Sequence, residues 1–252
     1  NAYKCAGRRA FLMRILAVDT SSQSASCALT EDGRLLGECF TNVRLTHSQT
    51  LMPMIEGLFA QTQTSIESVD LFAVTEGPGS FTGLRIGLSA VKGMAHALGR
   101  ACVGISTLEA LAWNLCGIPC VVAPVLDARC NQVYTALFRW TDNGLERLFA
   151  DEAIALDTLA ERLENLETPL FLVGDGAQMC YNKLNGRLQS LRLPTPALLY
   201  ARASSAALAA AQRAATAVPP AALAPVYLRL PQAERERLAK AGGAPSSGRE
   251  GC

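Results

Sequence analysis

Residues 76–98, EGPGSFTGLRIGLSAVKGMAHAL, constrain the fold more than any other stretch of the chain. A Gly-Pro-Gly turn continues neither a strand nor a helix, so it must join the apolar run 71–75 to a new element. That element reads as one helix, with Ser80 or Thr82 as its cap and no proline inside it. At about 100° per residue, Arg85, Ser89, Lys92 and His96 share one narrow polar stripe. Leu84, Leu88, Val91, Ala95 and Leu98 form one flank; Gly83, Gly87, Ala90, Met94 and Ala97 form another. A surface helix needs a single apolar stripe, so this one must be covered on two sides. The second cover is either the chain's own sheet or a partner helix drawn close to the small residues. The pattern leaves both open.

Strand signals lead up to the motif. Residues 15–18 form a buried run ending in Asp19-Thr20-Ser21-Ser22, and 26–30 with 35–40 read as a hairpin through Glu31-Asp32-Gly33. Residues 47–61 carry helical spacing at Leu51, Ile55, Leu58 and Phe59, with Pro53 expected to bend them. Beyond the motif helix the pattern predicts strand 102–105, helix 107–115 and strand 120–126 ending at Asp127. Strand 132–140 comes after it, closed by Asp142-Asn143-Gly144. A strand near 146–154, a helix near 157–165 and strand 170–173 come next, the last running into Gly174-Asp175-Gly176. An alanine-rich helix over 203–216 precedes Pro219-Pro220. Two successive sets of strands alternating with helices predict mixed α/β architecture in two lobes. We place the first lobe at 13–105. The second, reduced lobe is 106–230, whose last helix can pack back on the first. Residues 1–12 are read as an upstream segment and 231–252 as a disordered tail.

Charge limits the partners. Lys and Arg number 23 against 22 Asp and Glu, a net charge of +1, whereas gripping nucleic acid unaided needs a basic stripe. Nine cysteines are scattered without a disulfide framework; Cys116 and Cys120 stand too far apart for a Cys-x-x-Cys pair. Reduced, mostly buried thiols of a cytoplasmic protein are the expectation. No apolar run reaches the length of a membrane span.

The glycine loop itself matches neither common phosphate loop. No Gly-Lys-Ser/Thr comes after it at Walker A spacing, and Thr82 stands where a dinucleotide fingerprint needs its third glycine. Helix capping by Ser80 or Thr82 accounts for the hydroxyls there.

Taken together, Asp19-Thr20-Ser21, the motif 76–87, Gly104-Ile105-Ser106-Thr107-Leu108-Glu109-Ala110-Leu111, Pro124-Val125-Leu126-Asp127-Ala128-Arg129 and Pro225-Val226-Tyr227-Leu228-Arg229 resemble the bacterial TsaB (YeaZ) family. The resemblance runs in order from about Met13 to Arg229. It implies the actin-like ATPase (ASKHA) superfamily fold shared with sugar kinases, the second lobe being reduced. It also implies a non-catalytic role in making N6-threonylcarbamoyladenosine (t6A) at position 37 of tRNA. The implied partners are the paralogue TsaD, as a heterodimer, and the ATPase TsaE; TsaC supplies the activated adenylate. The chain alone would pair with itself, and tRNA would be met only through the complex.

Residue identities agree with that role. The paralogue carries a metal-binding His-x-x-x-His where this chain has Thr107 and Leu111, and neither replaces an imidazole. The two histidines, His47 and His96, form no pair at helical spacing, so no metal and no catalytic residue is expected. A nucleotide cleft would use Asp19, Ser21, Asp127, Gly174 and Gly176. Its phosphate loops are eroded, because no glycine stands beside Asp19 or Asp127 to admit close backbone approach. ATP or ADP is therefore assigned to the assembled complex and to no site of this chain alone. A small-molecule kinase of the same fold is the rival reading, and the missing glycines weigh against it. The interface is expected at Leu51, Ile55, Gly83, Gly87, Ala90 and Met94.

Overall fold

The computed structural model describes residues 13–229 except 44, 130, 165, 167, 168 and 189, so the expectations for 1–12 and 231–252 lie outside the described residues. Strand β1 (Arg14–Asp19) is the centre of the first sheet. It pairs antiparallel with β2 (Ala25–Glu31), which pairs antiparallel with β3 (Arg34–Thr41). The turn between β2 and β3 places Asp32 at φ 50° and Gly33 at φ 79°, the two left-handed residues that let a tight hairpin follow the strand twist. On its other side β1 runs parallel to β4 (Leu71–Gly77), and β4 to β5 (Ala101–Ser106).

The second sheet repeats this order. β6 (Cys120–Asp127) is its centre, antiparallel to β7 (Gln132–Thr141), which turns back into β8 (Gly144–Ala155). β6 also runs parallel to β9 (Leu170–Val173), and β9 to the two-residue β10 (Leu191–Arg192). The first sheet is ordered β3-β2-β1-β4-β5, and the second is β8-β7-β6-β9-β10. Each is a three-strand meander extended by two parallel strands, so the second lobe replays the first with shorter late strands.

Helices fill three layers around the two sheets. α1 (His47–Thr62) and α2 (Phe81–Ala97) cover the outer face of the first, packing Leu51, Ile55, Leu58, Leu84, Leu88 and Val91 on Leu16, Val18, Phe72 and Val74. α3 (Thr107–Ala112) and α6 (Ala203–Gln212) lie between the sheets. The alanines of α6 meet Ile15, Ala17, Ala73 and Val103, so α6 packs on the first sheet although it comes after the second in sequence. Alanine suits that place, because a helix closed in by a sheet and another helix has little room for longer side chains. α4 (Leu156–Leu163) and α5 (Ala177–Leu184) cover the far face of the second sheet.

Element types follow the sequence pattern, with three differences. The predicted helix 107–115 stops at Ala112 and finishes in a 3-10 turn, and the helix at 203–216 stops at Gln212. α5 and β10 carry no strong period in so short a span, and pattern reading passes over both. Pro53 lies inside a helix that continues to Thr62.

The expected interface needs correction. Leu51 and Ile55 are 1% and 2% exposed in the core of the first lobe. Gly83 and Gly87 face the chain's own β1 turn: an added Cβ would lie 2.1 Å from the Thr20 carbonyl oxygen at Gly83 and 2.4 Å from Thr20 Oγ1 at Gly87. The Thr20 hydroxyl donates to the Gly83 carbonyl at 2.8 Å. These glycines let α2 approach the end of β1, and no partner helix can reach them. Ala90 and Met94 are half-buried beside them. Of the expected interface residues on α2, Ala90 remains on the outward strip, with Ile86, Gly93 and Ala97, where a Cβ at Gly93 would meet nothing within 4 Å.

This geometry sets opposite expectations for two glycines of one helix. Gly87→Leu should destabilise the chain by about 1–3 kcal/mol through overpacking. Gly93→Ala should stabilise it by roughly 0.5–1 kcal/mol, the helix-interior advantage of alanine. Thermal unfolding of both variants measures the pair; equal midpoints would contradict the assigned faces.

Candidate functional site

The two lobes face one another across a cleft of about 450 Å³. One wall is the β1–β2 turn and the motif loop, with Ser21, Ser22, Ser80 and Thr82. The other is the end of β6 and the loop after β9, with Asp127, Arg129 and Asp175. The C-terminal residues Val226–Arg229 line it as well.

Asp19 ends β1 and is fully buried behind this wall. Ser21 Oγ and Thr75 Oγ1 each donate to its Oδ1 at 2.6 Å, while Oδ2 has no hydrogen-bond partner among the described residues. Burial raises its pKa above the ordinary aspartate value, and the hydrogen bonds from Ser21 and Thr75 pull the other way. Asp19 is thus a structural polar group holding three segments together, one layer beneath the surface a ligand would touch.

Asp127 and Ser21 stand on the cleft walls, as the sequence predicted. Gly174 and Gly176 do not. The Gly174 N–H donates to the Leu199 carbonyl at 2.6 Å, and a Cβ there would sit 2.3 Å from the Val125 carbonyl oxygen. The Gly176 N–H donates to that same Val125 carbonyl at 3.1 Å. Both glycines dock the β9 loop on β6, and the residue they present to the cleft is Asp175. Its Oδ1 accepts the Asp127 N–H at 3.2 Å. Desolvation between the lobes, helped by the charge of Asp127, pushes the Asp175 carboxyl up to about 6.

These residues do not fit a nucleotide triphosphate. The turn after Asp19 carries side chains, and its Ser21 carbonyl is taken by the Ser80 N–H at 2.7 Å. Gly79 packs against that same oxygen: a Cβ there would lie 2.2 Å from it. The opening of the phosphate hairpin is therefore filled by the motif loop, while Asp127 and Asp175 set two carboxylates opposite it. At the equivalent of the paralogue's metal site, Thr107 and Leu111 are both fully buried. Among the described residues no group of three His, Cys, Asp or Glu gathers anywhere. His47 begins α1 and its Nε2 bonds the Ser22 carbonyl at 2.8 Å, a tie between helix and turn. His96 is exposed on the polar stripe. Cys27, Cys102, Cys120 and Cys180 are buried, and burial pushes their thiols up to about 11 or 12, where they are poor nucleophiles.

Sequence reasoning missed what the motif holds. Phe81 stacks on Tyr227 with ring centroids 4.9 Å apart, and Arg85 Nε donates to the Tyr227 hydroxyl at 3.1 Å. The one available signal was the recurrence of Pro225–Arg229 as a separate matching segment, which says that the segment matters and leaves its contacts open.

The electrostatics of the cleft give a test. Because the Asp175 pKa is raised above 3.8 to about 6, its stabilising contribution is full below about pH 4 and is lost as pH rises through 6. Asp175 is nonetheless an exposed residue of the cleft wall, so the effect on stability is strongly damped by screening. Carboxyl titration by NMR should place the Asp175 midpoint near 6, and Asp127→Asn should lower it by removing the neighbouring charge while keeping the backbone donor. A midpoint in the ordinary aspartate range, unmoved by Asp127→Asn, would contradict the assigned environment.

Comparison with known proteins agrees with this architecture. A family model described as TsaD, tRNA N6-adenosine threonylcarbamoyltransferase, matches residues 41–237. The tRNA threonylcarbamoyladenosine biosynthesis protein TsaB of Bacillus subtilis is 30% identical over 223 residues, covering 88% of this chain and 96% of the relative. The protein of the same name from Escherichia coli is 34% identical over 170 residues, covering 66% of this chain and 73% of its own. The solved structure of YeaZ from Pseudomonas aeruginosa superposes with a TM-score of 0.68 at 26% identity, covering 86% of this chain and all of the other. The two-sheet architecture is that of the actin-like ATPases. On the aligned length, the family model and the shared fold, the chain belongs to the TsaB (YeaZ) family.

Proposed function

We propose that this chain is the non-catalytic partner subunit of the complex that makes t6A in tRNA, acting as scaffold and activator of a TsaD-type threonylcarbamoyltransferase. The observation that carries the reading is the strip Ile86, Ala90, Gly93 and Ala97 of α2, half-buried at its first two residues and exposed at the last two, together with exposed Met52 on α1. It is apolar and small, and the open space at Gly93 and at Gly57 on α1 admits a second helix at close range. Such a surface on a chain whose metal and phosphate positions lack ligands supports a docking role over a chemical one.

On this reading the first-lobe helices pair with the corresponding helices of TsaD, and in its absence with a second copy of this chain, because an apolar patch of this kind seldom stays bare. TsaE joins the pair, ATP or ADP is bound by the assembled complex, and tRNA is held mainly by the partners. The near-neutral charge of this chain supports that last point. Among the described residues no helix is long and apolar enough to cross a membrane, in keeping with a cytoplasmic site of action. A small-molecule kinase is disfavoured by the filled phosphate turn after Asp19.

Gly93→Leu places bulk on the strip without touching the core. Overpacking a close helix contact costs roughly 1–3 kcal/mol, so association with TsaD should weaken about five- to a hundredfold, and reconstituted t6A formation should fall at limiting subunit concentration. The thermal midpoint of the isolated chain should not drop. Sedimentation with and without TsaD reads the association. Unchanged affinity in Gly93→Leu, together with t6A formation indifferent to the presence of this chain, would overturn the proposal.

A further inference from the structure

The polar stripe of α2 has no role in the reading above, and it is not solvated throughout. The chain after α6 returns along it. Val218 pairs with Cys102 at the edge of β5, its N–H donating at 2.7 Å and its carbonyl accepting at 2.8 Å. Leu223 enters the first-lobe core at 3% exposure. Lys92 Nζ donates to the Leu223 carbonyl at 2.8 Å. The Val226 N–H then donates to the Glu76 carbonyl at 2.7 Å, and the segment lies so close that a Cβ on Gly77 would stand 2.1 Å from the Val226 oxygen. Tyr227 is clamped by Phe81 and Arg85, the Arg85 guanidinium lying 3.9 Å from the Phe81 ring centroid.

Two residues later the chain changes lobe. Arg229 Nη1 donates to the Ala128 carbonyl at 2.8 Å, in the turn between β6 and β7. That turn is an unusual receiver: Arg129 and Asn131 both hold left-handed backbone, at φ 62° and 55°. The Arg129 N–H is fixed by Asp127 Oδ1 at 2.8 Å, so the Ala128 carbonyl is presented by a set conformation. Away from this cleft, α3 is also tied to the second sheet and to the segment after α6, where Glu109 accepts from Arg147 at 3.1 Å and Arg213 at 2.5 Å. The lobes are therefore tied by an ionic group outside the cleft and by the strap at the cleft itself.

We propose that residues 218–229 are an interlobe clamp: anchored on the first lobe by Leu223, Val226 and Tyr227, they set the opening of the cleft through the reach of Arg229 to the second. The strap holds the two lobes at a fixed angle. It also explains the composition of the opening motif, in which Glu76, Gly77, Phe81 and Arg85 contact the strap while Gly79, Gly83 and Gly87 contact the β1 turn. One short sequence grips both the β1 turn and the strap.

The test uses hydrogen exchange of the full chain with mass spectrometric readout, with Arg229→Ala as the main variant. Arg229 lies at the far end of the strap, so its loss leaves buried Leu223 and the surface contacts of Val226 and Tyr227 in place. Exchange should rise roughly three- to tenfold, the range for losing one such hydrogen bond, in the turn 127–134 and in the facing loop 78–82. The thermal midpoint should stay near that of the parent, and Arg229→Lys should restore part of the protection. Tyr227→Phe, which keeps the stacked ring and removes only the hydroxyl, should produce a smaller rise in the same two segments. If Arg229→Ala raises exchange only within 226–229 and leaves both walls as they were, the segment is a passive tail and the clamp does not exist.

Discussion

The approach of α2 to the end of β1 is the contact on which the rest of the structure depends. The Thr20 and Ser21 carbonyls lie within the space of a methyl group from Gly83 and Gly79, and the Thr20 hydroxyl fills the same space at Gly87. Any side chain at these positions would lift the helix from the sheet. Once the helix is seated, Thr20 bonds Gly83, Ser80 bonds Ser21, and His47 reaches Ser22 from the start of α1. The turn after Asp19 is thereby fixed from two helices. Its conformation decides what the cleft can accept.

That seating has a chemical consequence. In a fold of this class the turn after the first strand is where phosphate would be held, and here its backbone is committed to internal contacts. The carboxylate of Asp19 is turned inward to Ser21 and Thr75, and the space beyond Asp127 is walled by Asp175. Polar groups that would handle a ligand elsewhere are spent on joining segments. Hydrogen bonds made within the chain in this way hold the turn and its neighbouring segments rigid.

A second polar group between the lobes obeys the same logic. Glu109 on α3 binds Arg147 of the second sheet and Arg213 beyond α6, and Ser106 donates to Asp151 at 2.5 Å. Glu76, beside this group, has a raised pKa because burial outweighs the nearby Arg213 charge, with Asp151 and Glu109 adding repulsion. A carboxylate at the start of the motif is thus enclosed at the junction of the lobes, pressed against Gly104, where a Cβ would lie inside its oxygen contact. Partly buried ion pairs of this sort contribute more to a defined arrangement than to net stability, since desolvation offsets much of the attraction.

Local chemistry was enough to place most strands and helices, because each carries its own period and its own stop: Asp32-Gly33 at a hairpin, Ser80 at a helix start, Asp127 at a strand end. It was also enough to find Asp127 and Ser21 of the cleft, and to recognise that α2 is covered on two sides. Which side faces what was beyond it. Gly83 and Gly93 have the same composition and lie on the same helix, yet one meets the Thr20 carbonyl and the other open space. Tyr227 stacks on Phe81 and takes a hydrogen bond from Arg85, 142 positions earlier in the chain, a separation no local pattern encodes. Sequence by itself determined most of the elements and the family, since those depend on residue type and spacing. Tertiary structure alone decided which glycines are interior, that Gly174 and Gly176 support Asp175, and that the C-terminal segment spans the two lobes, because each depends on which surfaces meet after the chain has closed.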